Sequence, residues 1–277
     1  MTPDQYCQQK AAQSGSSFYY SFLFLPPERR RAITALYAFC REVDDAVDEP
    51  GEPSVARAKL AWWRDELAQL YAGRPQHPVT HALQPAIEAF AIAHERLNEI
   101  IDGMEMDLDQ SRYADYASLR LYCHRVAGVV GVLAARIFGY GNPKTLEYAE
   151  KLGLAFQLTN IIRDIGEDAR KNRIYLPLDE MKQFDVPAGD ILNAHPTEKF
   201  TRLMEFQTQR AKRCYDEALA LLPAEDRRAQ RPGLIMAAIY RTLLDEIGRE
   251  GYPVLSQRTA LTPLRKLWIA WKTWISA

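Results

Sequence analysis

The sequence predicts an all-α fold, and three observations carry that prediction. Apolar residues recur at helical spacing along most of the 277-residue chain. Alternating apolar and polar runs rich in β-branched residues are nearly absent. Proline and glycine punctuate the chain into helix-length pieces. Residues 18–25 form a short aromatic segment ended by Pro26 and Pro27, and Pro27 suits the first turn of the next helix. That helix, residues 28–49, sets Ile33, Leu36, Tyr37, Cys40, Val43 and Val47 on an inward stripe and stops at Pro50-Gly51. Further helices are expected at 53–71, 79–94 and 97–109. Residues 118–138 read as a buried helix, apolar on most sides. Its Gly128 and Gly131 cost helix propensity, which close approach of another helix or of a ligand would explain. Residues 139–143 are a stop and restart before a helix at 143–168. Residues 171–196 read as loop with a short helix at 178–183. Helices at 197–222 and 232–248 and a tail helix at 263–275 complete a set arranged around a central space. No Pro/Gly/Ser-rich linker divides the chain, so residues 1–277 are expected to form one domain, with 263–277 as a basic, Trp-containing tail.

Composition excludes several classes. A net charge of -1 gives no electrostatic reason to expect nucleic acid. The N-terminus lacks the basic start and apolar stretch of a signal peptide, and no uninterrupted apolar run is long enough to span a bilayer. Cys7, Cys40, Cys123 and Cys214 are far apart and form no CxxC pair, which argues against a zinc site or disulfide framework and for a cytoplasmic location. His77 and His81 are four apart, but Pro75 and Pro78 make that stretch read as a loop. The tail mixes Arg265, Lys266 and Lys272 with Trp268, Trp271 and Trp274. It is too short to span a membrane. It suits either a peripheral contact at the inner membrane face or a helix docked on the body.

Two acidic motifs stand out. Asp44 and Asp48 are four apart, as are Asp164 and Asp168. That spacing puts each pair on one helix face, where like charges repel unless a cation intervenes. Tyr37 and Arg41 share the face of the first pair, and arginine's planar donor fork suits phosphate oxygens. The plainer reading of the first motif is a solvated acidic helix end. Gln157, Asn160, Asp164 and Asp168 lie at i, i+3, i+7 and i+11 amid Leu154, Phe156, Leu158, Ile161 and Ile162, so the second stripe is not a solvated face and needs partners. Two such walls facing each other offer hard oxygen ligands: Asp44, Asp48, Asn160, Asp164 and Asp168, with Gln157 as a ligand or hydrogen-bonding group. Mg²⁺ fits that set, held by carboxylates and substrate phosphates; Mn²⁺ is a possible substitute.

Other segments are weaker. Lys171, Arg173 and Tyr175 could close over a diphosphate, though Lys171 reads better as ordinary loop. Tyr122 stands near the polar mouth of an apolar tunnel that Val126, Ala127, Val129, Val130 and Leu133 could line. Ser17, in Ser14-Gly15-Ser16-Ser17, could hold phosphate oxygens or cap a helix. Glu105, Asp107 and Asp109, spaced by two, read as a solvated helix end.

These motifs in this order resemble the squalene/phytoene synthase family over residues 16 to about 255. The anchors are residues 37–48, 122–131, 157–168 with 173–177, and Tyr240-Arg241 with Gly251-Tyr252. Residues 16–22 and 122–128 look most like the bacterial presqualene diphosphate synthases of hopanoid biosynthesis. The resemblance implies an isoprenoid synthase-type helical bundle around a central active-site cavity. It implies head-to-head condensation of two farnesyl diphosphates to presqualene diphosphate, with handover to squalene-forming enzymes. By the same resemblance Asp44, Asp48, Asn160, Asp164 and Asp168 organise Mg²⁺ and diphosphate. Arg41, Arg163 and Tyr175 contact diphosphate, and Tyr37, Tyr122 and Tyr240 sit near the reacting centre. NADPH is not expected for this half-reaction. The alternatives are a phytoene or dehydrosqualene synthase, a complete NADPH-dependent squalene synthase, or a non-catalytic assembly factor, which should have lost aspartates from the motifs. The chain departs from many relatives in lacking His and Lys within residues 14–17, and in having Asn172 before the Arg-x-Tyr element.

Overall fold

The computed structural model describes residues 1–13, 21–22, 24–49 and 51–276. Ser17 and half of the aromatic segment, residues 18–20 and 23, therefore lie outside the described residues. The helices are α1 (Pro3–Gln13), α2 (Pro27–Asp48), α3 (Pro53–Tyr71), α4 (Pro78–Ala89), α5 (His94–Asp109), α6 (Tyr116–Cys123), α7 (Val129–Phe138), α8 (Lys144–Arg170), α9 (Leu178–Gln183), α10 (Ala188–Leu192), α11 (Glu198–Leu221), α12 (Arg231–Arg249) and α13 (Pro263–Ser276). A π-helical turn, His124–Gly128, joins α6 to α7. Among the described residues there is no strand, only an isolated bridge between Arg112 and Ile174.

The helices bury two hydrophobic cores. One gathers Leu36, Phe39, Leu67, Leu97, Ile100 and Leu133 from the N-terminal half and α7. The other gathers Leu152, Ile161, Phe200, Tyr215, Ile235 and Leu244 around α8, α11 and α12. Val126 packs against both, and the central cavity opens where they meet. Helix α8 is the axis: it packs on α7, α11, α12 and the π turn. Its contact with the π turn and α7 is backbone to backbone. A Cβ on Gly131 would collide with the Ala149 carbonyl oxygen, and one on Gly153 with the Ala127 carbonyl oxygen. Close helix approach is thus the reason for Gly131 that the sequence suggested.

Several boundaries differ from the sequence reading. Helix α1 was not foreseen, because its apolar stripe is only Cys7 and Ala11. The expected helix at 79–94 ends at Ala89: Ala91 takes a left-handed φ of 50°, and α5 begins at His94. Of the two histidines expected in a loop, His77 precedes a helix and His81 lies within it. Pro78 opens α4, and the His77 ring caps it by accepting from the Val79 N–H at 3.2 Å. The expected helix at 118–138 starts at Tyr116 behind an Asp115–Ser118 capping box and is interrupted by the π turn. Taken as one rod, Tyr116–Phe138 is long and apolar enough to cross a membrane by length and composition, unlike what the sequence suggested. Here it packs against α5 and α8 and lines the cavity.

Candidate active site

The central cavity holds about 550 Å³, polar at one end and apolar at the other. Its polar walls are the two acidic stripes. On α2, Arg41 forks between Asp44 and Asp45, at 2.6 Å to each. Helix α1 steadies this fork: Lys10 sits 2.8 Å from Asp45 and 3.0 Å from Glu42. Asp44 keeps 31% of its side-chain surface, but that surface faces the cavity rather than bulk water. Burial, opposed by Arg41 and reinforced by Asp48, Asp45 and Asp107, pushes its carboxyl up to about 6. Asp48 reaches across to the segment after α8, accepting from Arg173 at 2.7 Å and Lys171 at 3.0 Å. Burial alone would raise its carboxyl, but those two cations outweigh it and hold it low. Lys171, expected to be an ordinary loop residue, is therefore part of the site.

On the facing wall, Asp164 is gripped by Arg163 and by Arg258, whose Nε lies 2.8 Å away. These guanidiniums outweigh burial and depress the Asp164 carboxyl. Asp168 is pushed up to about 7 by burial and by the charges of Asp164 and Asp107. Asn160 Nδ2 donates to Gln157 Oε1 at 3.2 Å, while Asn160 Oδ1 is buried with no hydrogen-bond partner. Tyr240 is buried beside Phe156 and bonded to Arg163, and Tyr37 lines the cavity opposite.

Asp107 is the residue the sequence reading missed. Glu105 and Asp109 are paired with Arg64 and Arg57 at the surface, as a solvated helix end should be. Asp107 instead lines the cavity and accepts from Tyr175 at 2.7 Å and Tyr122 at 2.9 Å. Spacing of two put it on a different face from its neighbours, and that difference was the available signal. The Tyr175 hydroxyl, expected on diphosphate, is thus held by Asp107. Tyr122 and Tyr175 stack at 5.2 Å. Burial raises the Asp107 carboxyl to about 6, with the tyrosine hydrogen bonds and Arg173 offsetting only part. Asn172 adopts a left-handed φ of 56°, which asparagine tolerates in place of glycine, and Arg112 clasps its carbonyl at 2.6 Å and its side chain at 3.0 Å. The segment carrying Arg173 and Tyr175 is held in place by this clasp.

The apolar end is lined by Val126, Ala127 and Val130, as expected, with Leu36, Leu152, Phe156 and Met236. Val129 and Leu133 do not line it; both are fully buried in the N-terminal core. Phe22 and Phe138, with ring centres 6.4 Å apart, also line the cavity.

The donor chemistry suits a hard divalent cation. Carboxylates raised by burial and mutual repulsion, beside an unpartnered amide oxygen, are the groups a cation would relieve. They do not yet form one ligand set: among the described residues, no three His, Cys, Asp or Glu side chains converge as an ion site. Arg41, Arg163, Lys171, Arg173 and Arg258 stand among them, and such cations compensate phosphate equally well.

Comparison with known proteins agrees with this site. The family model described as squalene/phytoene synthase matches residues 11–265. The phytoene synthase of Arthrospira platensis is 37% identical, over 94% of this chain and 89% of its own. The 15-cis-phytoene synthase of a Synechocystis species is 35% identical, over 98% of this chain and 84% of its own. A crystal structure of a dehydrosqualene synthase in complex with ligand superposes with a TM-score of 0.87 at 28% identity, covering 98% of this chain and 95% of that one. Squalene synthase HpnC from Alicyclobacillus acidocaldarius superposes with a TM-score of 0.80 at 29% identity, covering 90% and 94%. The helical architecture is that of the isoprenoid synthases. The chain belongs to the squalene/phytoene synthase family of prenyl-transferring enzymes.

Proposed function

We propose that this protein condenses two farnesyl diphosphates head to head to presqualene diphosphate, releasing diphosphate. The observation that carries the reading is a pair of acidic stripes lining one cavity together with apolar residues that include the rings of Phe22 and Phe138. Asp44, Asp48, Asn160, Asp164 and Asp168 would hold Mg²⁺ with the diphosphates. When bound, Mg²⁺ supplies positive charge that stabilises the departing diphosphate. Arg41, Arg163, Lys171, Arg173 and Arg258 add charge-assisted hydrogen bonds to its oxygens. Departure leaves an allylic cation at C1 of one farnesyl chain. The C2–C3 double bond of the second farnesyl diphosphate attacks it, and proton loss closes the cyclopropane. The Tyr122 hydroxyl already donates to Asp107, and burial holds it well above the ordinary phenol range. It therefore stays protonated and offers no phenolate to accept a proton, which leaves the released diphosphate as the acceptor. The apolar wall excludes water that would quench the cation.

The Phe22 and Phe138 rings in the lining narrow the apolar space, which favours the shorter farnesyl chain. The second reading, a phytoene synthase acting on geranylgeranyl diphosphate, is favoured by the names of the curated relatives. Product analysis separates the two. The purified protein is incubated with Mg²⁺ and either substrate, with and without NADPH, and lipids are identified by mass spectrometry before and after phosphatase treatment. Presqualene diphosphate in both NADPH conditions supports the proposal. Phytoene from geranylgeranyl diphosphate alone supports the second reading. Squalene appearing only with NADPH would make the protein a complete squalene synthase.

A further inference from the structure

The last helix carries its apolar side outward. On α13, Ala270 is buried and Lys266, Ile269, Thr273 and Trp274 are half-buried. The solvent side presents Leu264, Leu267, Trp268, Trp271 and Ile275, at i, i+3, i+4, i+7 and i+11. Leu264 is 80% exposed, Ile275 60%, Trp268 59% and Trp271 48%. Scattered exposed hydrophobics are ordinary on a protein surface, but a contiguous stripe with two tryptophans marks an interaction site. The Trp268 and Trp271 rings stack at 5.2 Å. Phe24, 38% exposed, stacks on Trp274 at 4.8 Å and widens the apolar face.

Two observations indicate what covers this face. The first is charge. Helix α13 holds Arg265, Lys266 and Lys272 and no acidic residue. Lys266 faces the cavity, and Arg265 is paired with Glu246 at 2.9 Å while keeping 39% of its side-chain surface, so the outer side offers Lys272 and part of Arg265. A second copy laid across it by two-fold symmetry would set Lys272 against its own equivalent, whereas anionic lipid headgroups complement it. Tryptophan beside Lys and Arg is the composition that settles at the boundary between headgroups and acyl chains. The second is position. Lys266, together with Thr259, Ala260 and Leu261 just before the helix, lines the central cavity. The exposed stripe is thus the outer face of a wall whose inner face meets the substrate space. At 14 residues the helix is about 21 Å long, too short to span a bilayer and suited to lying in its surface.

We propose that the outer face of α13 docks on an anionic phospholipid bilayer, with Trp268 and Trp271 seated in the headgroup boundary and Lys272 on the lipid phosphates. This would hold the cavity wall against the phase in which long apolar chains dissolve.

The test is flotation of the full chain with vesicles of phosphatidylcholine alone and of phosphatidylcholine mixed with phosphatidylglycerol. The wild type should float with the mixed vesicles, with a blue shift of tryptophan emission. Trp268→Ala/Trp271→Ala should partition about tenfold more weakly or worse, because it removes most of the insertable area. Lys272→Glu should weaken binding to mixed vesicles and leave any binding to neutral ones unchanged. All three substituted side chains are exposed, so circular dichroism should not change. Failure of the wild type to float at low salt would overturn the proposal, as would equal flotation of the double variant. A wild-type dimer converted to monomer by the double substitution, without lipid binding, would assign the face to a second copy and also overturn it. Lipid binding is read without turnover, so this result stands apart from that of the condensation assay.

Discussion

Asp107→Asn should make the protein more stable and less active. The substitution keeps the shape and one of the two acceptor oxygens, puts an NH2 donor in place of the other, and removes the charge of a carboxyl that the fold raises from 3.8 to about 6. A carboxyl held above its unfolded value binds its proton more tightly when folded, so the ionised form works against folding. The penalty is absent below the unfolded value of 3.8, grows as pH rises towards 6, and is constant above. A rise of that size corresponds to roughly 3 kcal/mol, at about 1.36 kcal/mol for each tenfold change in acidity. Losing one acceptor offsets about 1 kcal/mol of this. For a chain of 277 residues the unfolding entropy is about 0.6 kcal/mol per degree, so the variant should melt about 3 °C higher at pH 7.5. The advantage should shrink steadily below pH 6 and be gone by pH 4. Circular dichroism melts of both proteins across that range supply the measurement. Turnover should fall by about tenfold or more, because the Tyr122 and Tyr175 hydroxyls lose a charged acceptor. A lower melting temperature for Asp107→Asn at pH 7.5 would refute the electrostatic reasoning.

Three further outcomes are expected. Tyr175→Phe leaves its ring in the stack but removes one hydrogen bond to Asp107; it should cost about 1–2 kcal/mol in a denaturant titration and lower kcat more than it raises KM. Gly153→Ala drives a Cβ into the Ala127 carbonyl; it should lose about 1–3 kcal/mol, and an unchanged melt would mean the α8 and π-turn backbones are not in contact. Phe138→Leu shortens the ring at the apolar end and should raise turnover of geranylgeranyl relative to farnesyl diphosphate, as competition between the two substrates would show.

The second acidic stripe was legible because Gln157, Asn160, Asp164 and Asp168 are polar on a helix otherwise rich in buried residues, and a single helix needs only its period to be read. The structure brings the first stripe opposite it, which no local pattern could establish. Asp107 was obscured because its partners Tyr122 and Tyr175 come from distant segments, and neighbouring Glu105 and Asp109 behave as an ordinary surface pair. Lys171 was misread for the same reason: its partner Asp48 is 123 residues away. Of the five residues expected to line the tunnel, Val126, Ala127 and Val130 do, while Val129 and Leu133, one helical turn apart, face the N-terminal core. Helix α1 carries too little apolar surface to announce itself, yet its Lys10 supports Asp45, one of the two carboxylates that orient Arg41.

The central claim is that the two facing stripes act together through a divalent cation on diphosphate. Its most direct test is the rate of presqualene diphosphate formation from farnesyl diphosphate, measured against Mg²⁺ concentration for the wild type, Asp48→Asn and Asp164→Asn. Saturable Mg²⁺ dependence in the wild type, with turnover abolished in both variants and their helical circular dichroism intact, is the predicted result. Near-normal turnover in either variant, or wild-type turnover unaffected by chelation of Mg²⁺, would contradict it.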